Sequence, residues 1–240
     1  MQEIWLFGDS YSDRNYYNDN SFLSWPLQLE THYLVKNFSR AGSSPSYQLN
    51  LLIEQTLIEN NKKNKNIIII FLVSNVLRFD FKFLDVTFHS VPYRYFIDRE
   101  DMLKKHKIFD QMLNEENKKF IINFFKEYVI HTNYEQMELI KVISTLNYYS
   151  NFFKKTLVWP IFDMPNIEII DNNKFNFVDF KLFDVEPFRF KFAEDKRNNH
   201  LSKNNHDKVF YSLNKWIKDN VRVSKKDFIN IINDNMVKNL

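Results

Sequence analysis

The chain contains no cysteine, two glycines and six prolines in 240 residues. Without cysteine there is no disulfide, no thiol nucleophile and no cysteine-ligated metal, and the redox compartment is left open. Average glycine usage of about 7% would give roughly 17, so two is a deep deficit. It excludes collagen-like, silk-like and glycine-linker chains, and membrane helices packed through glycine. Alanine is as scarce, Ala41 and Ala193 only, whereas asparagine occurs 30 times and phenylalanine 25 times. Lys, Asn, Ile and Phe up with Gly, Ala and Pro down is the pattern of AT-rich coding. The bias has a conformational consequence. Positions that need φ > 0 must mostly be filled by Asn or Asp, the next most tolerant residues. Each surviving glycine therefore marks a place to inspect.

Long apolar runs are also missing. The longest, Ile67 to Val73, has seven residues and falls far short of a membrane span. The formal net charge is only +3, and basic residues are interleaved with acids, so no nucleic-acid footprint is expected. Met1-Gln2-Glu3-Ile4-Trp5 lacks the basic and apolar regions of a signal peptide. The expectation is a soluble protein, cytoplasmic or part of a virion or other assembly. No histidine pair has the i, i+4 spacing of helical ligands, and neither a metal nor a cofactor is expected. A hydrophobic content of 44% with 26% charge predicts a folded chain, and the length predicts one domain over residues 1–240.

What is present alternates. Ile4 to Phe7 is a short apolar run ending at Gly8 and predicts a buried first strand. Trp25-Pro26 opens a short helix to about Tyr33, with proline in the first turn where its missing N–H costs little. Tyr33 to Phe38 predicts a second strand. Ser43 to Ser46 supplies capping hydroxyls for a helix carrying Leu49, Leu52, Ile53, Thr56 and Leu57 at helical spacing. Ile67 to Val73 predicts a third strand, buried on both faces. This strand–helix–strand–helix–strand order argues for a parallel α/β sheet. Residues 76–113 lack clear periodicity and predict an insertion over the carboxyl edge of the sheet. Helices are expected at 115–131 and 134–153, so that a largely helical insertion spans about 76–153. Thr156 to Trp159 predicts a fourth strand stopped by Pro160, with a short strand near Phe175 to Phe180. A last long helix is expected from about Asn204 to Asn220. The tail, about 224–240, has Ser224 and Asp227 in capping-box spacing and an apolar stripe of Phe228, Ile231, Ile232 and Met236. That stripe either packs on its own domain or docks on a protein partner or on a second copy of the chain.

Four residues stand out by position. Ser10, in Gly8-Asp9-Ser10-Tyr11-Ser12-Asp13, follows the first strand, where open α/β sheets place ligands. Gly42 follows the second strand and lets a backbone N–H approach a ligand with no Cβ in the way. Asn75 follows the third strand with an amide able to donate into the same crevice. His200 precedes the last helix, with His206 six residues on. Each alone has an ordinary reading: a turn, a loop glycine, one asparagine of many, a surface histidine.

Their joint order resembles the SGNH/GDSL hydrolase superfamily. The likeness covers four short blocks between residue 7 and about residue 210. Gly8 to Asp13 is similar to the nucleophile block, Gly42 to the second-block glycine and Asn75 to the third-block asparagine. His200-Leu201-Ser202 with His206 is similar to the last block, and there Asn205 stands where the family usually has glycine. The resemblance implies a flavodoxin-like three-layer α/β/α fold and ester hydrolysis. Ser10 would attack an acyl carbonyl while His200 takes its proton and returns it to the leaving alcohol. The N–H groups of Ser10 and Gly42 and the Asn75 amide would hold the oxyanion, a single such donor contributing about 3–4 kcal/mol. Asp9 would shape the turn. Two departures bear on activity. Val73-Ser74-Asn75-Val76 stands for the usual Gly-x-Asn-Asp, and Arg197 stands where the family carries the aspartate that orients the histidine. Asp195, or less favourably Glu194, would take that role; otherwise the site is a Ser–His dyad. The implied substrate is a short acyl ester, such as an O-acetyl group on a glycan, with acyl transfer to a sugar hydroxyl as competing chemistry. The alternative is a catalytically decayed binding or structural module of a larger assembly.

Overall fold

The computed structural model describes residues 1–13, 23–59, 66–74, 78–83, 86–92, 114–124, 127, 133–162, 164, 174–185, 201, 203–225 and 228. Seven strands and five α-helices are assigned among them. In chain order these are β1 (Glu3–Phe7), α1 (Trp25–Glu30), β2 (Leu34–Asn37), α2 (Pro45–Glu59), β3 (Ile67–Val73), β4 (Arg78–Phe83) and β5 (Val86–Pro92). They continue with α3 (Glu115–Phe124), α4 (Tyr134–Ser150), β6 (Lys155–Pro160), β7 (Phe175–Phe177) and α5 (Lys203–Asp219). Five strands form an all-parallel sheet in the order β2-β1-β3-β6-β7. This is the flavodoxin-like strand order, with its switch point between β1 and β3.

Period-2 alternation sends each central strand's side chains into two separate cores. Ile4, Leu6, Ile68, Ile70, Leu72, Leu157 and Trp159 pack under α1 and α5, against Trp25, Leu29, Val209, Leu213 and Trp216. Trp5, Phe7, Ile69, Phe71, Val73 and Val158 pack under α2 and α4, against Leu49, Leu52, Leu139, Val142 and Leu146. The result is three layers. All seven residues of β3 are buried, which accounts for its unbroken apolar sequence. Helix α4 is thus a core layer, the crossover between β3 and β6. The part of the insertion that stands outside the sheet opens with an antiparallel hairpin, β4–β5, rather than with helix. Pro160 is the last residue of β6, in register with Val73. Residues 229–240 of the expected tail lie outside the described residues; Phe228, from its stripe, is buried against Trp159 and Phe180.

One buried cation ties the sheet to a helix end. Lys155 opens β6 and is only 7% exposed. Its Nζ donates to the Trp216 and Ile217 carbonyls and to Asn220 Oδ1, and lies 4.4 Å from the Trp216 ring centroid. It thereby satisfies carbonyls that the end of α5 leaves without intrahelical partners. Desolvation, with a smaller contribution from neighbouring Lys154, lowers its pKa from 10.5 to about 8. Because the folded-state pKa is the lower one, the unfolded chain binds the extra proton between pH 8 and 10.5, and stability rises with pH there. Tyr33 works in the opposite direction. Burial, then the charge of Asp219, raises its pKa, so its contribution is lost above the unfolded value of 10. Between pH 8 and 10 the wild type should gain roughly 1 kcal/mol from Lys155, the full shift being discounted for screening. Urea titrations of wild type and Lys155→Met at both pH values check this, and an equal pH slope in the two proteins would refute it.

Candidate active site

The β1 strand runs between β2 and β3, so its carboxyl end opens on the crevice at the switch point. The chain turns there through Asp9–Asp13. The Ser12 and Asp13 N–H groups donate to the Asp9 carbonyl at 3.0 and 2.9 Å, and the Tyr11 N–H donates to Asp9 Oδ1 at 3.0 Å. The buried Asp9 carboxylate therefore shapes the turn from within, as an Asx motif does. Asp9, Tyr11 and Ser12 are buried, whereas Ser10, between Asp9 and Tyr11, is half-buried. No helix follows the turn directly among the described residues, since α1 begins only at Trp25.

Side chains from other elements fix this turn. Trp25 Nε1 donates to the Tyr11 carbonyl and Asn37 Nδ2 to the Ser12 carbonyl, each at 2.8 Å. Asp13 Oδ2 accepts the Ala41 N–H at 2.9 Å, and the Arg40 N–H reaches the Gly8 carbonyl at 3.1 Å. The loops after β1 and β2 are thus fastened across one another. Gly42 sits at the crossing with φ 80°, in the left-handed region that side chains with a Cβ rarely occupy. Two residues on, Ser44 Oγ accepts the Tyr47 N–H at 3.0 Å and caps the 15-residue helix α2. The positive end of that helix adds to the field at Gly42.

The N–H groups of these two loops divide in an informative way. Tyr11, Ser12 and Asp13 in the first loop, and Arg40, Ala41 and Ser43 in the second, each donate within the protein. Neither the Ser10 nor the Gly42 N–H donates to any described residue. Each loop thus keeps one backbone N–H without an acceptor among the described residues.

Asn75, Asp195 and His200 lie outside the described residues, as do Glu194 and Arg197. The residue before Asn75 is placed: Ser74 is buried and its hydroxyl donates to the Ser43 carbonyl at 2.9 Å, which ties the β3 end to the β2 loop. His206 is fully buried in the first turn of α5, and its Nδ1 accepts the Trp25 N–H at 3.2 Å. That bond requires an unprotonated Nδ1. Asn205 does not replace a glycine for conformational reasons. It has helical φ within α5, and its Oδ1 accepts from Lys208. Sequence reasoning missed Asn37, Asp13, Trp25 and Ser43 as fasteners of the site. Among the described residues no three His, Asp or Glu side chains are grouped to hold a metal ion, and no helix is long and apolar enough to cross a membrane. In comparisons with known proteins, no family model matches the chain and no curated sequence is significantly similar.

Proposed function

We propose that this protein is a serine ester hydrolase acting on short acyl esters such as O-acetyl groups on a glycan. The observation that carries the proposal is the pair of uncommitted N–H groups, Ser10 and Gly42, on two loops fastened to each other, with a half-buried Ser10 at the carboxyl end of β1. In the proposed cycle Ser10 Oγ attacks the acyl carbonyl and His200 accepts its proton. The carbonyl oxygen becomes an oxyanion held by the Ser10 and Gly42 N–H groups and by the Asn75 amide. His200 then protonates the departing alcohol, and water, or a sugar hydroxyl in a transfer reaction, releases the acyl group from Ser10. Asp195 is the proposed orienting carboxylate for His200. In its absence the pair works as a dyad with a lower rate.

The second reading, a catalytically decayed module of a larger assembly, is favoured by one feature of the surface. Met137, Ile140 and Tyr148 on α4, with Phe152 just beyond it, are large apolar side chains left exposed. A fluorophosphonate probe followed by peptide mass spectrometry separates the two. The esterase reading expects a single adduct on Ser10, and an unmodified Ser10 after prolonged exposure points to the decayed module.

A further inference from the structure

Bonded to the same two loops is a polar chain that is closed to solvent. Ser43 is 2% exposed, Gln48 1% and Ser74 5%. Gln48 Nε2 donates to Ser43 Oγ at 2.7 Å, and Ser43 Oγ lies 2.8 Å from the Gly8 carbonyl. The direction of the chain is fixed by chemistry. An amide nitrogen only donates, so the single hydroxyl proton of Ser43 must go to the Gly8 oxygen. The Ser43 main chain is held as well, its N–H donating to the Arg40 carbonyl at 3.0 Å and its carbonyl accepting from Ser74 Oγ at 2.9 Å. One residue is therefore bonded to the loops that follow β1, β2 and β3.

We infer that Ser43, oriented by Gln48, is a positioning residue that sets the spacing of the oxyanion donors. This rests on the esterase reading above. Each anchor is next to, or two residues from, a proposed donor. Gly8 stands two residues before Ser10, Ser43 follows Gly42 directly, and Ser74 precedes Asn75. The left-handed backbone at Gly42 gives the loop no regular secondary structure to hold its N–H in place, and the bonds of Ser43 supply that constraint. Donors in an oxyanion hole act through preorganisation, so a small displacement lowers the rate of the chemical step more than it weakens ground-state binding.

The test combines ester kinetics with the rate of fluorophosphonate labelling, both well below the unfolding temperature of each variant. Ser43→Ala should lower kcat by about tenfold or more while KM stays within about twofold, and should slow labelling of Ser10 in proportion. Ser43→Thr keeps the hydroxyl and should recover most of kcat. Ser74→Ala removes only the tie to the β3 end and should lower kcat in the same sense but less. It serves as the reporter if Ser43→Ala does not fold. A Ser43→Ala protein, or in its place a Ser74→Ala protein, with wild-type kcat and labelling rate overturns the positioning role. So does a Ser43→Thr protein no better than the alanine variant. The failure of the underlying reading looks different, since the wild type itself then leaves Ser10 unlabelled.

Discussion

Ser10→Ala should reduce hydrolysis of p-nitrophenyl acetate by roughly 10³-fold or more, to near the buffer rate, because the covalent step loses its nucleophile. The fold should survive the change. The turn is held by Asp9, Trp25 and Asn37, and the Ser10 hydroxyl bonds to no described residue. The neighbouring Ser12 makes a demanding control. It is fully buried and its hydroxyl lies 3.3 Å from the Asp9 carbonyl, so Ser12→Ala should leave turnover within about threefold of wild type at a modest cost in stability. Initial rates with purified proteins, with far-ultraviolet dichroism to verify folding, decide the matter. Undiminished hydrolysis by Ser10→Ala would remove the basis of the assignment. A rate lost equally in both variants would mean that the turn, not the Ser10 hydroxyl, is what the reaction needs.

The sheet was legible because burial writes itself into sequence period. An apolar run as continuous as Ile67 to Val73 has few places to go except between two layers, and all seven residues are buried there. The alternation of strands and helices then constrained the sheet to be parallel, which the register confirms. The β4–β5 hairpin carried a signal of its own: Arg78-Phe79-Asp80-Phe81-Lys82-Phe83 alternates with period two, and a second strand follows across two residues. Taken together with the aromatic and charged residues on either side, that alternation is diluted and lost. Asn37 illustrates the other limit. As one of 30 asparagines it has nothing local to distinguish it, and its bond to Ser12 exists only because β2 lies beside β1. The same holds for Ser43, whose partners at Gly8 and Ser74 come from strands brought together by topology.

The composition rule can be followed to particular residues. Asn220 ends α5 at φ 58°, the one residue other than glycine with positive φ among the described residues. There an asparagine serves as the left-handed helix cap that glycine usually provides. At Asn205 the same rule does not operate, since a residue in a helical turn needs no such freedom. The two glycines that remain are required for different reasons. Gly42 has the positive φ, whereas Gly8 does not, and its requirement is steric.

That difference predicts opposite responses to substitution. A Cβ at Gly8 would overlap Ser12 Oγ and lie 3.0 Å from Leu72 Cβ. The serine hydroxyl can rotate away, but Leu72 belongs to the buried central strand β3 and has nowhere to move. Gly8→Ala should therefore cost about 1–3 kcal/mol of overpacking, roughly 2–12 °C in Tm for a chain of this size. It should also lower kcat, because the displaced segment leads directly into Ser10. At Gly42 alanine meets backbone strain of about 1–2 kcal/mol, whereas asparagine, which tolerates the left-handed region, should recover part of that loss. Scanning calorimetry of Gly8→Ala, Gly8→Asn, Gly42→Ala and Gly42→Asn reads both mechanisms together. Asparagine should be better than alanine at 42 and worse at 8, where its larger side chain only adds to the collision. The same ranking at both positions would mean that one mechanism accounts for both glycines and that the steric account of Gly8 is mistaken.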